Sequence, residues 1–413
     1  MHERQPSRPS DLIYDWNTVE PDAPLPRGIE FDDETLRDGL QSPSVTDPPI
    51  EKKIEILHLM ESLGIHTANV GLPGAGPRAV ADVTRLVQEI ADSRLRIRPN
   101  CAARTHENDI LPVVAITQKT GVPIEVCTFI GSSPIRQYAE NWTLDQMLEN
   151  TIQASRLCAR EGLPQMYVTE DTTRAHPDTL RQLYTAAIQN GAKRVCVADT
   201  VGHATPPGVR SVIRFIGRIV AEAGNPEVGI DWHGHRDRGL DIANSIAAAQ
   251  AGARRIHGTA LGIGERCGNT SLDLLLVNLK LLGAIDNDLR GLPAYVSAVS
   301  TACGVPIPKN YPVFGSDAFE TATGVHAAAV IKAFRKQDTW LANRVYSGVP
   351  ADEFGLEQKI SIGPMSGRSN VVFWLEKRQI PADDGLVTTI FDAAKRSHRL
   401  LTDEEVLALL PRT

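Results

Sequence analysis

Long apolar runs are the first thing this 413-residue chain lacks. No stretch approaches the ~20 apolar residues that a membrane-spanning helix needs. The N-terminus, MHERQPSRPSDLIYDW, has no apolar core of the signal-peptide kind. Both absences lead us to expect a cytoplasmic protein with no membrane partner. A basic excess is lacking too: 43 Lys and Arg stand against 50 Asp and Glu, for a formal net charge of −7. No basic patch is interleaved with aromatics, so the electrostatic footprint of a nucleic-acid binder is missing. Aromatics make up only 5% of the residues, and the core is expected to be aliphatic. Cysteines are few, at positions 101, 127, 158, 196, 267 and 303, with no CxxC pair and with several inside apolar runs such as Val195-Cys196-Val197. They read as small buried residues in a reducing compartment, not as a disulfide or zinc framework.

What is present is alternation. Residues 1–27, rich in Pro, Ser and charge, read as a loosely held N-terminal arm with a short apolar patch at Leu12, Ile13, Tyr14 and Trp16. Short β-branched runs at 28–32, 65–70, 95–102, 123–129, 165–169, 194–198, 228–232 and 255–260 then alternate with longer amphipathic stretches. Helices are expected near 51–63, 77–91, 107–119, 143–161, 177–189, 206–221, 239–250 and 272–282. In the first of these, Ile54, Leu57 and Met60 recur at helical spacing. Eight strand–helix units imply a parallel sheet, and eight in ~260 residues favour a closed TIM (β/α)8 barrel over an open sheet. No Gly-rich phosphate loop follows the first strand, which also disfavours a nucleotide-binding open sheet. The barrel is expected over 28–290, followed at 291–413 by a smaller, mainly helical region. That region should hold helices near 324–335 and 385–410 with a tyrosine-bearing loop between them.

Active sites of such barrels lie at the C-terminal ends of the strands. Strand 1 is followed by Asp33-Glu34-Thr35-Leu36-Arg37-Asp38-Gly39, and strand 7 ends in Asp231-Trp232-His233-Gly234-His235. Strand 8 leads to Gly262-Ile263-Gly264-Glu265-Arg266-Cys267-Gly268-Asn269. A His-x-His on a strand puts both imidazoles on one face, roughly 6–7 Å apart along it. Taken alone, such a pair is as readily two ordinary strand-end histidines. Strands 7, 8 and 1 become neighbours when the barrel closes, however, so Asp38, His233, His235 and Asn269 can reach one point. Two imidazoles with carboxylate and amide oxygens suit Mg²⁺, Mn²⁺, Co²⁺ or Zn²⁺ without choosing among them.

The stretches DETLRDGLQSP (33–43), His233-Gly234-His235 with Asp237, Gly239 and Leu240, and GIGERCGNTSL (262–272) together resemble the DRE-TIM metallolyases. Within that superfamily the chain is similar to the 2-isopropylmalate, homocitrate and citramalate synthases. The resemblance extends through Glu170-Asp171, Asp199-Thr200-Val201-Gly202, Gly324-Val325-His326, Tyr346 and Ile362-Gly363-Pro364-Met365-Ser366-Gly367-Arg368. It implies an acyltransferase that joins acetyl-CoA to the ketone of a 2-oxo acid in a metal-dependent Claisen condensation. It further implies that Arg37 stabilises oxyanion charge, that Thr200 binds the substrate carboxylate and that Glu170 orients or activates a base. Gln41, Asn69 and Arg104 join Arg37 and Thr200 as substrate contacts. By the same resemblance, His326 serves as base with Tyr346 beside it, both supplied by the partner of a homodimer with exchanged C-terminal regions.

Three departures accompany the resemblance. Position 40 is Leu40 where the synthases read RDGEQ, closer to the RDGLQ of 3-hydroxy-3-methylglutaryl-CoA lyase; this keeps a carbon–carbon lyase as the alternative. The strand-8 loop favours the synthase, because the lyases carry a GGCPYA-type loop and Cys267 lies elsewhere. Arg236 follows the His-x-His where Asn is usual, and alternation is expected to turn it away from the metal side. In Asn69-Val70-Gly71-Leu72-Pro73 an amide replaces the acid of the isopropylmalate type, so the acceptor need not be 2-oxoisovalerate. The chain also stops at 413, which leads us to expect no leucine feedback through a further C-terminal domain. Two other classes fit the motifs less well. A metal-dependent amidohydrolase carries its His-x-His after the first strand, and a barrel that only binds or regulates would lose ligands that are all present here.

Overall fold

The computed structural model describes residues 12–20 and 23–411. Residues 1–11 and 21–22 of the expected arm lie outside the described residues. In the remainder, Trp16–Thr18 forms one 3-10 turn capped by Asp15, and Leu12, Ile13, Tyr14 and Trp16 are exposed. No helix among the described residues is long and apolar enough to cross a membrane.

Eight parallel strands follow: β1 (Glu30–Asp33), β2 (Thr67–Asn69), β3 (Arg98–Arg104), β4 (Glu125–Gly131), β5 (Gln165–Glu170), β6 (Arg194–Asp199), β7 (Gly229–Gly234) and β8 (Arg255–Gly258). They close in sequence order, with β8 returning to β1 so that Asp32 faces His257 and Asp33 faces Gly258. The expected TIM barrel is therefore the fold. The helices Pro77–Asp92, Pro177–Gln189 and Pro206–Glu222 open on proline, whose fixed φ and missing N–H suit the first turn. One element was not expected: a short helix, Pro134–Glu140, stands at the mouth after β4, capped by Ser133 and ended by Asn141 in the left-handed conformation.

The strands alternate, and the two faces differ in character. Phe31, Val195, Val197, Ile230, Trp232 and Ile256 belong to the main hydrophobic cluster shared with the surrounding helices. Residues of the opposite phase fill the barrel's interior, and there the expectation of an aliphatic core fails. On β7, β8 and β1 these inward residues are Asp231, Arg255, His257 and Asp32, all buried and polar. Arg255, 1% exposed, sends Nε to Asp231 Oδ2 at 2.6 Å and an Nη to Glu125 Oε2 at 2.5 Å. Asp231 also takes Arg194 at 2.6 Å, so the buried charges are paired from several sides.

The hydrophobic cluster of the barrel runs on past residue 290. Leu292, Tyr295, Val296, Val299 and Cys303 of helix Leu292–Cys303 join it, as do Tyr311, Phe319 and Phe354. Beyond lie two smaller cores, one around Val330 and Ile331, the other around Val371, Leu375 and Ile390. The C-terminal region is mainly helical, with two corrections to the expected pattern. A two-stranded parallel sheet joins β9 (Glu320–Thr321) to β10 (Lys359–Ile360), and the single final helix is in fact two, Asp384–Arg396 and Asp403–Leu407.

Tyr295 ties this added helix to the barrel. Its hydroxyl donates to Asp33 Oδ2, while Thr35 N–H donates to Asp33 Oδ1 at 2.9 Å. Burial pushes the Asp33 carboxyl up to about 6 in spite of the hydrogen bonds from Thr35 and Tyr295. An unfolded aspartate loses its proton near ~4. The contribution of the protonated form is thus complete below that pH and is lost as pH rises through the folded value. Each tenfold in proton affinity is ~1.4 kcal/mol, so the loss across this window amounts to roughly 3 kcal/mol. Asp33→Asn, which carries no such proton, should flatten the dependence of the urea midpoint on pH between about 4 and 6. An unchanged slope in the variant would exclude Asp33 as its source.

Candidate active site

The inward polar residues of three strands form a ladder from the floor of the barrel to its mouth. At the floor lies the Arg255–Asp231 pair. One step up, His257 bridges Asp231 Oδ2 (3.0 Å) and Glu34 Oε1 (2.8 Å). The same Glu34 oxygen stands 3.2 Å from Nδ1 of His233. A carboxylate in that position keeps the proton on Nδ1 and leaves Nε2 with its lone pair facing the mouth. The top rung is where the lone pairs collect. His233 Nε2 lies 3.3 Å from His235 Nε2 and 3.2 Å from Asp38 Oδ2, which is 3.7 Å from His235 Nε2.

Charge at the top rung is polarised. Burial alone would raise Asp38, but the neighbouring Arg37 guanidinium, with the imidazoles of His233 and His235, holds its carboxyl well below the usual range. Burial, then the adjacent His233, lowers His235 to about 4, so this imidazole is neutral at ordinary pH. An anionic oxygen and imidazole nitrogens converge on one point, as a cation requires. Asn269 forms an isolated antiparallel bridge with His235, and its buried Oδ1 and Nδ2 have no hydrogen-bond partner among the described residues. The orphaned amide and the converging nitrogens fit a divalent ion with Asp38, His233, His235 and Asn269 around it. A second metal-capable cluster, Glu34–His233–His257, shares His233 and lies directly beneath. Its bonds orient His233, which is the supporting role that ligating histidines usually have filled by a carboxylate.

Above the ladder opens a cavity of about 260 Å³, lined by Arg37, Asp38, Gln41, Asn69, Glu170, Thr200, His233 and His235 among others. Eight of the residues expected at the site thus meet in one place. Arg37 pairs with Glu34 and approaches Asp38 Oδ2 at 3.6 Å. Its buried Nε has no hydrogen-bond partner among the described residues. Thr200 Oγ1 accepts the Asp171 N–H at 2.8 Å, which fixes the hydroxyl and leaves its proton free to donate. Burial raises the Glu170 carboxyl above its ordinary value, against the pull of Arg136 (3.5 Å) and Arg37. Arg236 bonds Ser271 Oγ at 3.0 Å and Leu261 O, so it turns away from the ligand side as expected.

Four of the expected residues do not line this cavity: Asn269, which pairs with His235 beside it, and three that lie further off. Arg104 has the inward phase of β3, yet Asp109 captures it through bonds at 2.8 Å from both Nε and Nη2. Its side chain stays two-thirds exposed and does not line the cavity. His326 and Tyr346 stack on one another, ring centroids 4.2 Å apart, in a separate surface depression of the C-terminal region. Sequence reasoning missed Glu34 and His257. The signal for His257 was available, two residues beyond Arg255 on the inward phase of β8. Of the cysteines, five are buried as expected, but Cys267 is exposed in the strand-8 loop.

Comparison with known proteins agrees with this geometry. A family model described as HMGL-like matches residues 28–294. Homocitrate synthase AksA of Methanopyrus kandleri is 32% identical, with the alignment covering 90% of this chain and 88% of that one. The 2-isopropylmalate synthase of Sulfurisphaera tokodaii is 29% identical over 89% of this chain and 90% of its own. Among solved structures, a Bacillus subtilis HMG-CoA lyase superposes with a TM-score of 0.57 at 20% identity, covering 69% of this chain and 97% of that one, a likeness of fold. The length of these matches, across barrel and C-terminal region together, puts the chain in the HMGL-like family of DRE-TIM proteins.

Proposed function

We propose that the chain is an acyltransferase of the 2-isopropylmalate synthase kind, which condenses acetyl-CoA with a 2-oxo acid to give a 2-substituted malate and free CoA. What carries the reading is the convergence of Asp38, His233 and His235 beneath Arg37 at the mouth of a closed barrel. The synthase names of relatives matched over nine-tenths of the chain support it. A divalent cation held by Asp38, His233, His235 and Asn269 would supply Lewis acidity at the acceptor's carbonyl.

The remaining work falls to side chains. Thr200, with Gln41 and Asn69, holds the acceptor in place. A base takes a proton from the acetyl methyl group, and the freed electron pair forms the new bond to the ketone carbon. The carbonyl electrons move onto oxygen beside Arg37, whose guanidinium faces the developing charge. That oxygen then takes up a proton; water adds to the thioester and expels CoA as the thiol. We assign the base to His326 of the partner subunit, with Tyr346 beside it, in a homodimer that exchanges C-terminal regions. The two rings already stack, but outside their own barrel's cavity. Glu170, with its raised proton affinity, supports that base. The functional division is an arm at 1–27, a catalytic barrel at 28–290 and C-terminal subdomains at 291–413. A cytoplasmic location is in keeping with six unpaired cysteines.

A free-thiol assay with acetyl-CoA and a panel of 2-oxo acids tests the activity. CoA release that disappears with a chelator and returns with added metal is the expected result. Cleavage of a hydroxyacyl-CoA, with no thiol release from acetyl-CoA and any acceptor, would instead establish the lyase.

A further inference from the structure

The loop after strand 8 carries Asn269 on a backbone that does not hold itself. It runs from Thr259 to Ser271 and turns back on itself, so that the Asn269 N–H donates to Gly262 O at 3.1 Å. A Cβ on Gly268 would collide with that same carbonyl, and one on Gly264 would lie 2.8 Å from Nδ2 of Asn269. Asn269 is thus seated by the residues that follow Leu261. Leu261 itself takes φ 58° and ψ 7°, the left-handed region that a residue with a side chain adopts only at a cost. Such strain persists only where the surroundings impose it.

Those surroundings grip Leu261 at both of its polar groups. Its N–H donates to Asp273 Oδ1 at 2.7 Å, and the hydroxyl of Tyr311 donates to Asp273 Oδ2 at 2.9 Å. Its carbonyl accepts from Nη1 of Arg236 at 3.3 Å, and the same nitrogen donates to Ser271 Oγ. One peptide earlier, the Ala260 N–H donates to Thr35 Oγ1 at 2.9 Å, which lies 3.1 Å from the Tyr295 hydroxyl. Asp273 is wholly buried and Tyr311 nearly so. Arg236 stands where Asn is usual. Tyr311 comes from the segment between helix Leu292–Cys303 and β9, beyond the barrel.

We propose that Tyr311, acting through Asp273, and Arg236 are positioning residues of the metal site: they fix Leu261 at its N–H and its carbonyl, and so set the loop that carries Asn269. Neither of them lines the cavity. The route is short, because the Leu261 backbone angles aim the Gly262 carbonyl, and that carbonyl holds the Asn269 N–H. The inference rests on the metal-dependent reading above and deepens it, since it gives the region beyond the barrel a part in its own barrel's metal site. Loss of an outer hydrogen-bond partner weakens metal binding by roughly 10–100-fold, and an effect passed through backbone should fall at the lower end, about 10-fold.

The test titrates Mn²⁺ and, separately, Zn²⁺ into the full-length protein by calorimetry, and follows amide hydrogen exchange across residues 259–271 by mass spectrometry. Tyr311→Phe, which removes a single hydroxyl, and Arg236→Leu should each weaken the ion about 10-fold. Each should also speed exchange in this loop, while β4 and β5 keep the parent's protection. Should either variant fail to fold, the other decides. Affinity that stays at the parent's level would overturn the inference, even if stability falls, because the residues would then only support the fold. Weaker binding with an unchanged loop, or with protection lost throughout the barrel, would overturn it as well. A parent that binds neither ion would bring down the metal-dependent reading itself, and the inference with it.

Discussion

His233→Ala should lower kcat/KM on the order of 10³-fold, the equivalent of the several kcal/mol that a Lewis acid contributes at a reacting carbonyl. His233 is the residue common to both clusters at the site: Nε2 faces Asp38 and His235, and Nδ1 faces Glu34. Truncation removes one nitrogen from the top rung and leaves Glu34 with only His257 and Arg37. A variant retaining activity within tenfold of the parent would place the chemistry elsewhere. The same variant probes the shared site. When mixed and refolded with His326→Ala, itself inactive, it should regain activity, because each mixed dimer then holds one barrel with His233 and one intact His326 opposite it. Activity that stays absent in verified mixed dimers would place the base in the same subunit as the metal ligands.

The largest loss of stability is expected from Arg255→Met. The substitution keeps much of the side chain's length but removes the charge that Asp231 and Glu125 share at the barrel floor. Breaking one partner out of a buried ionic network costs roughly 3–5 kcal/mol, because the charges left behind remain buried. Arg194 still reaches Asp231, but among the described residues Glu125 pairs with no cation besides Arg255, so Glu125 bears most of the imbalance. A urea unfolding curve should show the midpoint displaced by that amount. A displacement below ~1 kcal/mol would mean that water already screens the network. Activity should fall as well, since Asp231 holds His257 and His257 shares Glu34 with His233.

Much of this arrangement could be read from the amino-acid order, and the exceptions have physical causes. The barrel was legible because eight β-branched runs alternate with eight amphipathic ones. His233 and His235 were legible because period two fixes the face of a strand-end pair. The inward phase of His257 was legible too, but its bond to Glu34 was not, since that arises only when β8 pairs with β1 and brings positions 223 residues apart within 2.8 Å. Arg104 shows the limit of alternation. Phase aims it inward, but an aspartate five residues on, in the first turn of helix Glu107–Thr120, takes the guanidinium instead. The break in the final helix was marked in the sequence: Thr402 and Glu405 form a capping box, which starts a new helix after Arg396. The aliphatic core inferred from composition exists between strands and helices. Composition cannot say that the barrel's inside is different.

The barrel interior itself has two unlike sides, and the contrast divides what can vary from what cannot. The rungs on β7, β8 and β1 depend on one another through shared atoms, so a change at any rung disturbs the next. Apart from Met166, whose Sδ lies 3.2 Å from Arg255, and Glu170 at the end of β5, the wall on β3 to β6 is built of separate small and apolar side chains that touch no rung. A lineage, or an engineer, can therefore retune which acid is accepted by exchanging wall residues one at a time while the chemistry on the far side is inherited intact.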